Sequence, residues 1–188
     1  MVMRSSSAGS KEEKVEAPIA EMLVKSGAVR FGSFTLTSGQ KSDVYVDIKH
    51  IWTDPTRLRV LAKELSTHVR DEPRLAGMEL GAVPLVVATA LESGRPYAVI
   101  RKQAKTHGTG QRIEGTILSG ERVLLVEDVA TTGGSLVESV EVLRAAGARV
   151  DRAVVVVDRE AGATESLARL GVQLESLATL RQLRGVPS

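Results

Sequence analysis

Residues 123–135 read V-L-L-V-E-D-V-A-T-T-G-G-S. Four apolar residues predict a buried strand, the acids Glu127 and Asp128 stand at its end, and a loop of small residues leads into a helical pattern. Leu136, Val137, Val140 and Leu143 fall on one face of that helix, Ser135 and Glu138 have the spacing of a capping box, and Gly147 supplies the stop. Residues 131–135 then occupy a helix N-terminus, where backbone N–H groups and the positive end of the helix dipole bind an anion without a lysine. A Walker-type loop needs a lysine after its last glycine, and none follows Gly133-Gly134. The acid pair suits ribose hydroxyls or a hydrated Mg2+, because neighbouring carboxylates repel until a cation or a hydroxyl-rich ligand offsets the repulsion. An ordinary strand-turn-helix connection explains the glycines but not the acids. The stretch therefore predicts an α/β fold with a sugar-phosphate site beside a strand end.

Length and charge narrow the remaining classes. A chain of 188 residues fits a single domain over residues 15–188, preceded by a Ser-rich, disordered extension over residues 1–14. With 25 basic against 23 acidic residues, the net charge of +2 gives no electrostatic case for nucleic acid. One Trp, two Tyr and two Phe are too few for a base-stacking platform. Cysteine is absent, which excludes disulfides and thiolate zinc sites and fits a reducing cytoplasm. No stretch has the apolar length of a signal peptide or a membrane span, so a soluble protein without a membrane partner is expected.

Alternating elements follow along the chain. Pro18 with Ile19, Met22 and Leu23 predicts a helix over residues 17–25, ending near Gly27. Short strands over 34–36 and 44–48 flank the turn Ser38-Gly39. Asp54-Pro55 opens a helix with Leu58, Leu61, Leu65 and Val69 on its buried face. Residues 78–91 pass from a short strand through Gly81-Ala82-Val83-Pro84 into a helix, and 97–100 form a strand. Strands over 122–126 and 150–157, with the helix between them, make a βαβ unit and hence a parallel sheet. A weaker helix at 164–170 and a strand at 172–177 complete the pattern. Open parallel sheets bind ligands outside the carboxyl ends of their strands. That rule groups four distant features: Gly81 to Pro84, Arg101-Lys102, Glu127-Asp128 and Asp158-Arg159.

Residues 101–112, R-K-Q-A-K-T-H-G-T-G-Q-R, carry four basic residues and a histidine with no acid. Taken alone, the run suits either a solvated β-hairpin arm or a cationic lid that excludes water and neutralises a leaving group.

The order R-K-x-x-K-x-H-G-x-G at 101–110, then V-E-D-V-x-T-T-G-G-S at 126–135, resembles the orotate phosphoribosyltransferases. The second motif alone is similar to type I phosphoribosyltransferases in general. The first, with L-T-S-G-Q-K-S-D-V-Y-V-D at 36–47, narrows the resemblance to the orotate branch. It extends from about residue 17 to the C-terminus. The resemblance implies the type I phosphoribosyltransferase fold: a mostly parallel central sheet flanked by helices, a small N-terminal hood and a flexible lid loop. It implies transfer of the phosphoribosyl group from 5-phosphoribosyl 1-pyrophosphate (PRPP) to orotate, Mg2+ as cofactor, and a homodimer with shared active sites.

Matched position by position, the family pattern assigns Glu127 and Asp128 to the ribose hydroxyls of the donor. Thr131, Thr132, Gly133, Gly134 and Ser135 hold its 5′-phosphate, and Val129 and Ala130 are also donor-binding positions. Arg101, Lys102, Lys105 and His107 match pyrophosphate and lid positions, Lys105 and His107 reaching the neighbouring subunit's site. Thr131 and Arg159 match orotate-binding positions, Arg159 by pairing with the carboxylate; its rival reading is a surface ion pair with Asp158 or Glu160. Lys105 and Asp128 are the expected catalytic residues, Lys105 acting by electrostatics or as an acid, and Mg2+ is expected mainly on substrate oxygens and water. Two positions depart from some relatives. Thr37 stands where they carry lysine, with Lys41 a candidate substitute, and the loop Gly81 to Pro84 has no cation, leaving it to offer backbone amides or merely to start a helix. The competing functions are a PRPP-sensing regulator of the same fold and a transferase for another base.

Overall fold

The computed structural model describes residues 19–35, 41–103 and 112–187. The expected extension over residues 1–14 and the Ser38-Gly39 turn lie outside the described residues. Helix α1 (Ile19–Lys25) leads into an antiparallel hairpin of β1 (Val29–Thr35) and β2 (Lys41–Val46). On this hood the Arg30 guanidinium lies over Tyr45 at 5.1 Å and over Phe34 at 5.9 Å. The first strand starts five residues earlier than its sequence pattern suggested, because Val29 pairs with Val46 and Phe31 with Val44. A short helix that the sequence reading missed, α2 (Lys49–Trp52), joins the hood to α3 (Pro55–Thr67). Asp54 caps α3, accepting the backbone N–H groups of Thr56 at 2.9 Å and Arg57 at 3.1 Å. Val69 falls past the end of α3 but still packs against the core.

The rest of the chain winds around one larger sheet. In chain order it comprises β3 (Arg74–Met78), α4 (Val83–Ser93), β4 (Tyr97–Ile100), β5 (Ile113–Glu114), β6 (Arg122–Ala130), α5 (Gly134–Ala145), β7 (Arg149–Asp158), α6 (Ala163–Ala168), β8 (Gln173–Thr179) and α7 (Leu180–Arg184). The sheet order is β5-β4-β3-β6-β7-β8, parallel except for the short edge strand β5. Strand residues alternate between two cores. Leu124, Val126, Val154 and Val156 join Leu61, Leu65, Leu85 and Val86 of α3 and α4, with Leu23 of α1 and Val44 of the hood. Leu125, Ala153 and Val155 join Leu136, Val140 and Leu143 of α5 and Leu167 of α6. Both faces being covered explains the nearly unbroken apolar runs of β6 and β7, which no period-2 pattern marks.

At the amino ends of the strands, an ion network holds elements together away from the strand tips. Arg152 bonds Glu72 at 2.6 Å, Glu175 at 2.9 Å and the His68 carbonyl at 3.0 Å, while His68 reaches Glu175 at 2.7 Å. Burial opposes ionisation of Glu175, yet hydrogen bonds from His68 and Arg152 outweigh it and hold the carboxyl below its usual range.

Candidate functional site

Of the four features grouped by the strand-end rule, Gly81 to Pro84 and Arg101-Lys102 follow the carboxyl ends of β3 and β4, Asp158-Arg159 closes β7, and Glu127-Asp128 lies towards the carboxyl end of β6; the four strands are neighbours in the order β4-β3-β6-β7. Two expectations about the central stretch need correction. Glu127 and Asp128 do not lie beyond β6 but inside it, since pairing with β7 continues through Glu127 with Val155, Val129 with Val157 and Ala130 with Asp158. Ser135 does not cap α5. The N-cap is Gly133, at φ +88° with no side-chain cap bond, and Ser135 sits within the first turn, its carbonyl accepting from the Ser139 hydroxyl at 2.8 Å. Glu138 is drawn away by Arg112 at 2.6 Å.

An uncapped helix start leaves the first-turn N–H groups available to a ligand. Around it, residues 129–136 line a cavity of about 180 Å3. Gly133 is required there twice: its left-handed backbone favours glycine, and a Cβ would meet the Ala163 backbone at 3.1 Å. The Ser166 hydroxyl donates to the Thr132 carbonyl at 2.9 Å, so α6 braces the loop from behind.

Beside this cradle lies a second cavity of about 200 Å3, lined by Lys49, Met78, Glu79, Leu80, Gly81, Lys102, Glu127, Asp128, Val129 and Ser135. Val129 and Ser135 line both, so the two are contiguous. The acids at the junction differ. Asp128 is partly exposed and caps the Val129 N–H at 2.7 Å, whereas Glu127 is 6% exposed and accepts the Asp128 N–H at 3.0 Å. Burial, then the charge of Asp128, pushes the Glu127 carboxyl up to about 8. The repulsion inferred from sequence thus falls on the buried acid, whose proton is held more tightly than that of an ordinary carboxyl. Gly81 packs directly on Asp128: a Cβ there would sit 2.5 Å from Oδ2.

Cations approach from two sides. The Lys102 N–H donates to Glu79 at 2.9 Å, and Arg101 pairs with Glu114 at 3.3 Å while its buried Nε finds no partner among the described residues. Arg112 clasps this corner, donating to the carbonyls of Arg101 at 2.9 Å and Lys102 at 2.9 Å as well as to Glu138. Arg159 forms no ion pair with its sequence neighbours. Asp158 accepts the Glu160 N–H, and Glu160 pairs with Arg181 of α7 at 3.3 Å. The Arg159 guanidinium instead reaches the hood at Ser42 Oγ, 3.3 Å, and its buried Nε is also unpartnered among the described residues. A buried donor without a protein acceptor calls for a ligand or a water in its place.

Lys105, His107 and Thr37 lie outside the described residues. Lys41 starts β2, but the hood lysine that lines the acid-pair cavity is Lys49. Lys49 and Glu79 were missed from sequence, and only the two-residue spacing of Lys49 from Asp47 at a strand end hinted at one of them; Arg112 was read there only as one of the four basic residues of the 101–112 run. A roomier hollow of about 630 Å3, lined by Arg112, Ile113, Gly115, Thr116, Ile117, Val142, Ala145 and Ala146, has neither carboxylates nor an anion loop. Size alone does not make it the site.

Comparison with known proteins places these features in a family context. Residues 51–171 match the phosphoribosyl transferase domain family. An orotate phosphoribosyltransferase of Methanopyrus kandleri is 50% identical over 168 residues, covering 89% of this chain and 91% of the relative. The crystal structure of orotate phosphoribosyltransferase from Aeropyrum pernix superposes with a TM-score of 0.78 at 40% identity, covering 89% of this chain and 96% of that one. That from Mycobacterium tuberculosis H37Rv in complex with PRPP gives 0.72 at 32% identity, covering 88% and 96%.

Proposed function

We infer the division of labour within the site from one premise: the chain belongs to the orotate phosphoribosyltransferase family. It is a pentosyltransferase that moves the phosphoribosyl group of PRPP to orotate, yielding orotidine 5′-phosphate and pyrophosphate in pyrimidine biosynthesis. The observation that carries the site reading is the continuity of an uncapped helix start, lined by residues 129–136, with the cavity of Glu127 and Asp128. In this reading the amides of Thr131, Thr132, Gly133, Gly134 and Ser135 hold the 5′-phosphate, and the two acids take the ribose diol. Arg101 and Lys102 face the pyrophosphate, and Arg159 pairs with the orotate carboxylate, supported by its unpartnered Nε.

A ring nitrogen of orotate gives up its proton to solvent or to the departing pyrophosphate and forms the new bond to the anomeric carbon as the bond to the pyrophosphate oxygen breaks, so configuration inverts. Positive charge on the ribose at that moment is favoured by the nearby Asp128 carboxylate. Lys105 takes its assignment from the family motif: stabilising the negative charge that gathers on pyrophosphate. Mg2+ fits the partly exposed Asp128 beside the donor's expected diol, held otherwise by substrate oxygens and water, since no metal-holding cluster of three side chains occurs among the described residues. It supplies charge neutralisation on the leaving group. A homodimer with shared sites and a cytoplasmic location complete the reading. They are supported by the family motif and by the cysteine-free sequence respectively; no helix among the described residues is long and apolar enough to cross a membrane.

Assay of pyrophosphate release with PRPP, Mg2+ and either orotate or purine bases tests the reading. Turnover with orotate is expected, and Arg159→Ala is expected to raise the KM for orotate at least tenfold, about 1.4 kcal/mol, with the KM for PRPP little changed. An equal rise in both constants contradicts the placement of Arg159 on the base.

A further inference from the structure

The acid-pair cavity has an unusual balance of charge. Glu79, Glu127 and Asp128 line it from β6 and the residues following β3, and the stretch Leu80-Gly81-Ala82-Val83 adds no cation. Lys102 and Lys49 are its two lysines. Lys102 comes from the end of β4; Lys49 comes from α2, on the hood side of the molecule. The Lys49 N–H is fixed by Asp47 Oδ1 at 3.0 Å, whereas its ammonium stands 3.8 Å from that oxygen and the side chain is 63% exposed. At that separation the pair lacks a hydrogen bond, and solvent screens most of its attraction. Lys49 therefore has a fixed backbone and a charge not committed to its neighbour.

Resting on the function proposed above, we propose that Lys49 is a binding residue for the pyrophosphate end of the donor, acting from α2 together with Lys102 in the cavity that both line. A polyanion entering beside Glu79 and Asp128 meets repulsion that the loop amides of residues 80–81 offset only in part, those of Ala82 and Val83 being bonded to the carbonyls of Met78 and Leu80. A second cation on a separate element supplies the rest. The acceptor base plays no part in this contact, so the effect of Lys49 belongs to donor and product pyrophosphate alone.

The test compares wild type, Lys49→Ala and Lys49→Arg. In steady state, Lys49→Ala is expected to raise the KM for PRPP and the inhibition constant for pyrophosphate about tenfold each, leave the KM for orotate within twofold, and be largely rescued by Lys49→Arg. Calorimetric titration of inorganic pyrophosphate with Mg2+ reads the same contact without turnover, so it distinguishes failure of this inference from failure of the enzymatic reading. Unchanged pyrophosphate affinity in Lys49→Ala overturns the proposal. So does an equal loss for pyrophosphate and orotate, which would mark a role in packing the hood.

Discussion

Glu127 shows how a residue's surroundings redirect what its sequence context suggests. From sequence, the acid pair is two charges in need of a ligand; the fold buries one and leaves the other partly exposed. Burial and the Asp128 charge raise the Glu127 carboxyl from 4.5 to about 8. Between those values the unfolded chain releases a proton that the folded chain retains, so this group's contribution to stability falls as pH rises and levels off above about 8. Glu127→Gln removes that dependence. Thermal melts of the ligand-free protein at pH 6 and pH 9 should show a larger drop for wild type than for the variant, with the variant the more stable of the two at pH 9. Parallel pH curves would contradict the raised carboxyl. The acids themselves were legible because charge interrupts an apolar run; their inequality was not, because their neighbours are distant in sequence, Gly81 against Asp128 and β7 beside Glu127. Arg159 was placed at a strand end by the alternation of strands and helices but took its role only from the family motif, and Glu160 is engaged by Arg181, in a helix the sequence pattern did not reveal.

At the scale of elements, the loops carry function because the strands beneath them are rigid. Helix α5 was correctly located by its apolar face, but its start was misjudged, since a serine with a glutamate three residues on has the same signature whether or not it caps. The positive φ of Gly133 decides the matter, and φ is set by packing against α6. The short elements β5, α2 and α7 escaped notice because two to five residues hold no periodicity. The connection after β3 makes a prediction of its own. Gly81→Ala would drive a Cβ into the Asp128 carboxylate, at 2.5 Å from Oδ2 and 2.7 Å from Cγ, so the acid must turn away from the cavity. We expect the KM for PRPP to rise about tenfold or more while the melting temperature falls by only a few degrees. An unchanged KM would mean that the orientation of Asp128 does not matter to the donor.

Across the whole molecule, stability and chemistry occupy opposite ends of one sheet. The amino ends of the strands carry the Arg152 network, whose groups satisfy one another; the carboxyl ends carry the buried Glu127 carboxyl and the Nε atoms of Arg101 and Arg159, which lack partners among the described residues. The parallel sheet and its ligand-bearing edge were legible from the alternation of strands and helices. Strand order was not, because hydrogen-bond partners leave no local mark in the chain. The central claim is that the donor is held by loop amides at its phosphate and by acids at its diol. A crystal structure of the protein with PRPP and Mg2+ tests it most directly. The account predicts the 5′-phosphate within hydrogen-bond distance of the amides of residues 131–135 and the ribose hydroxyls on Glu127 and Asp128. A donor seated instead in the hollow between Arg112 and Ala146, with the acid pair untouched, would contradict it.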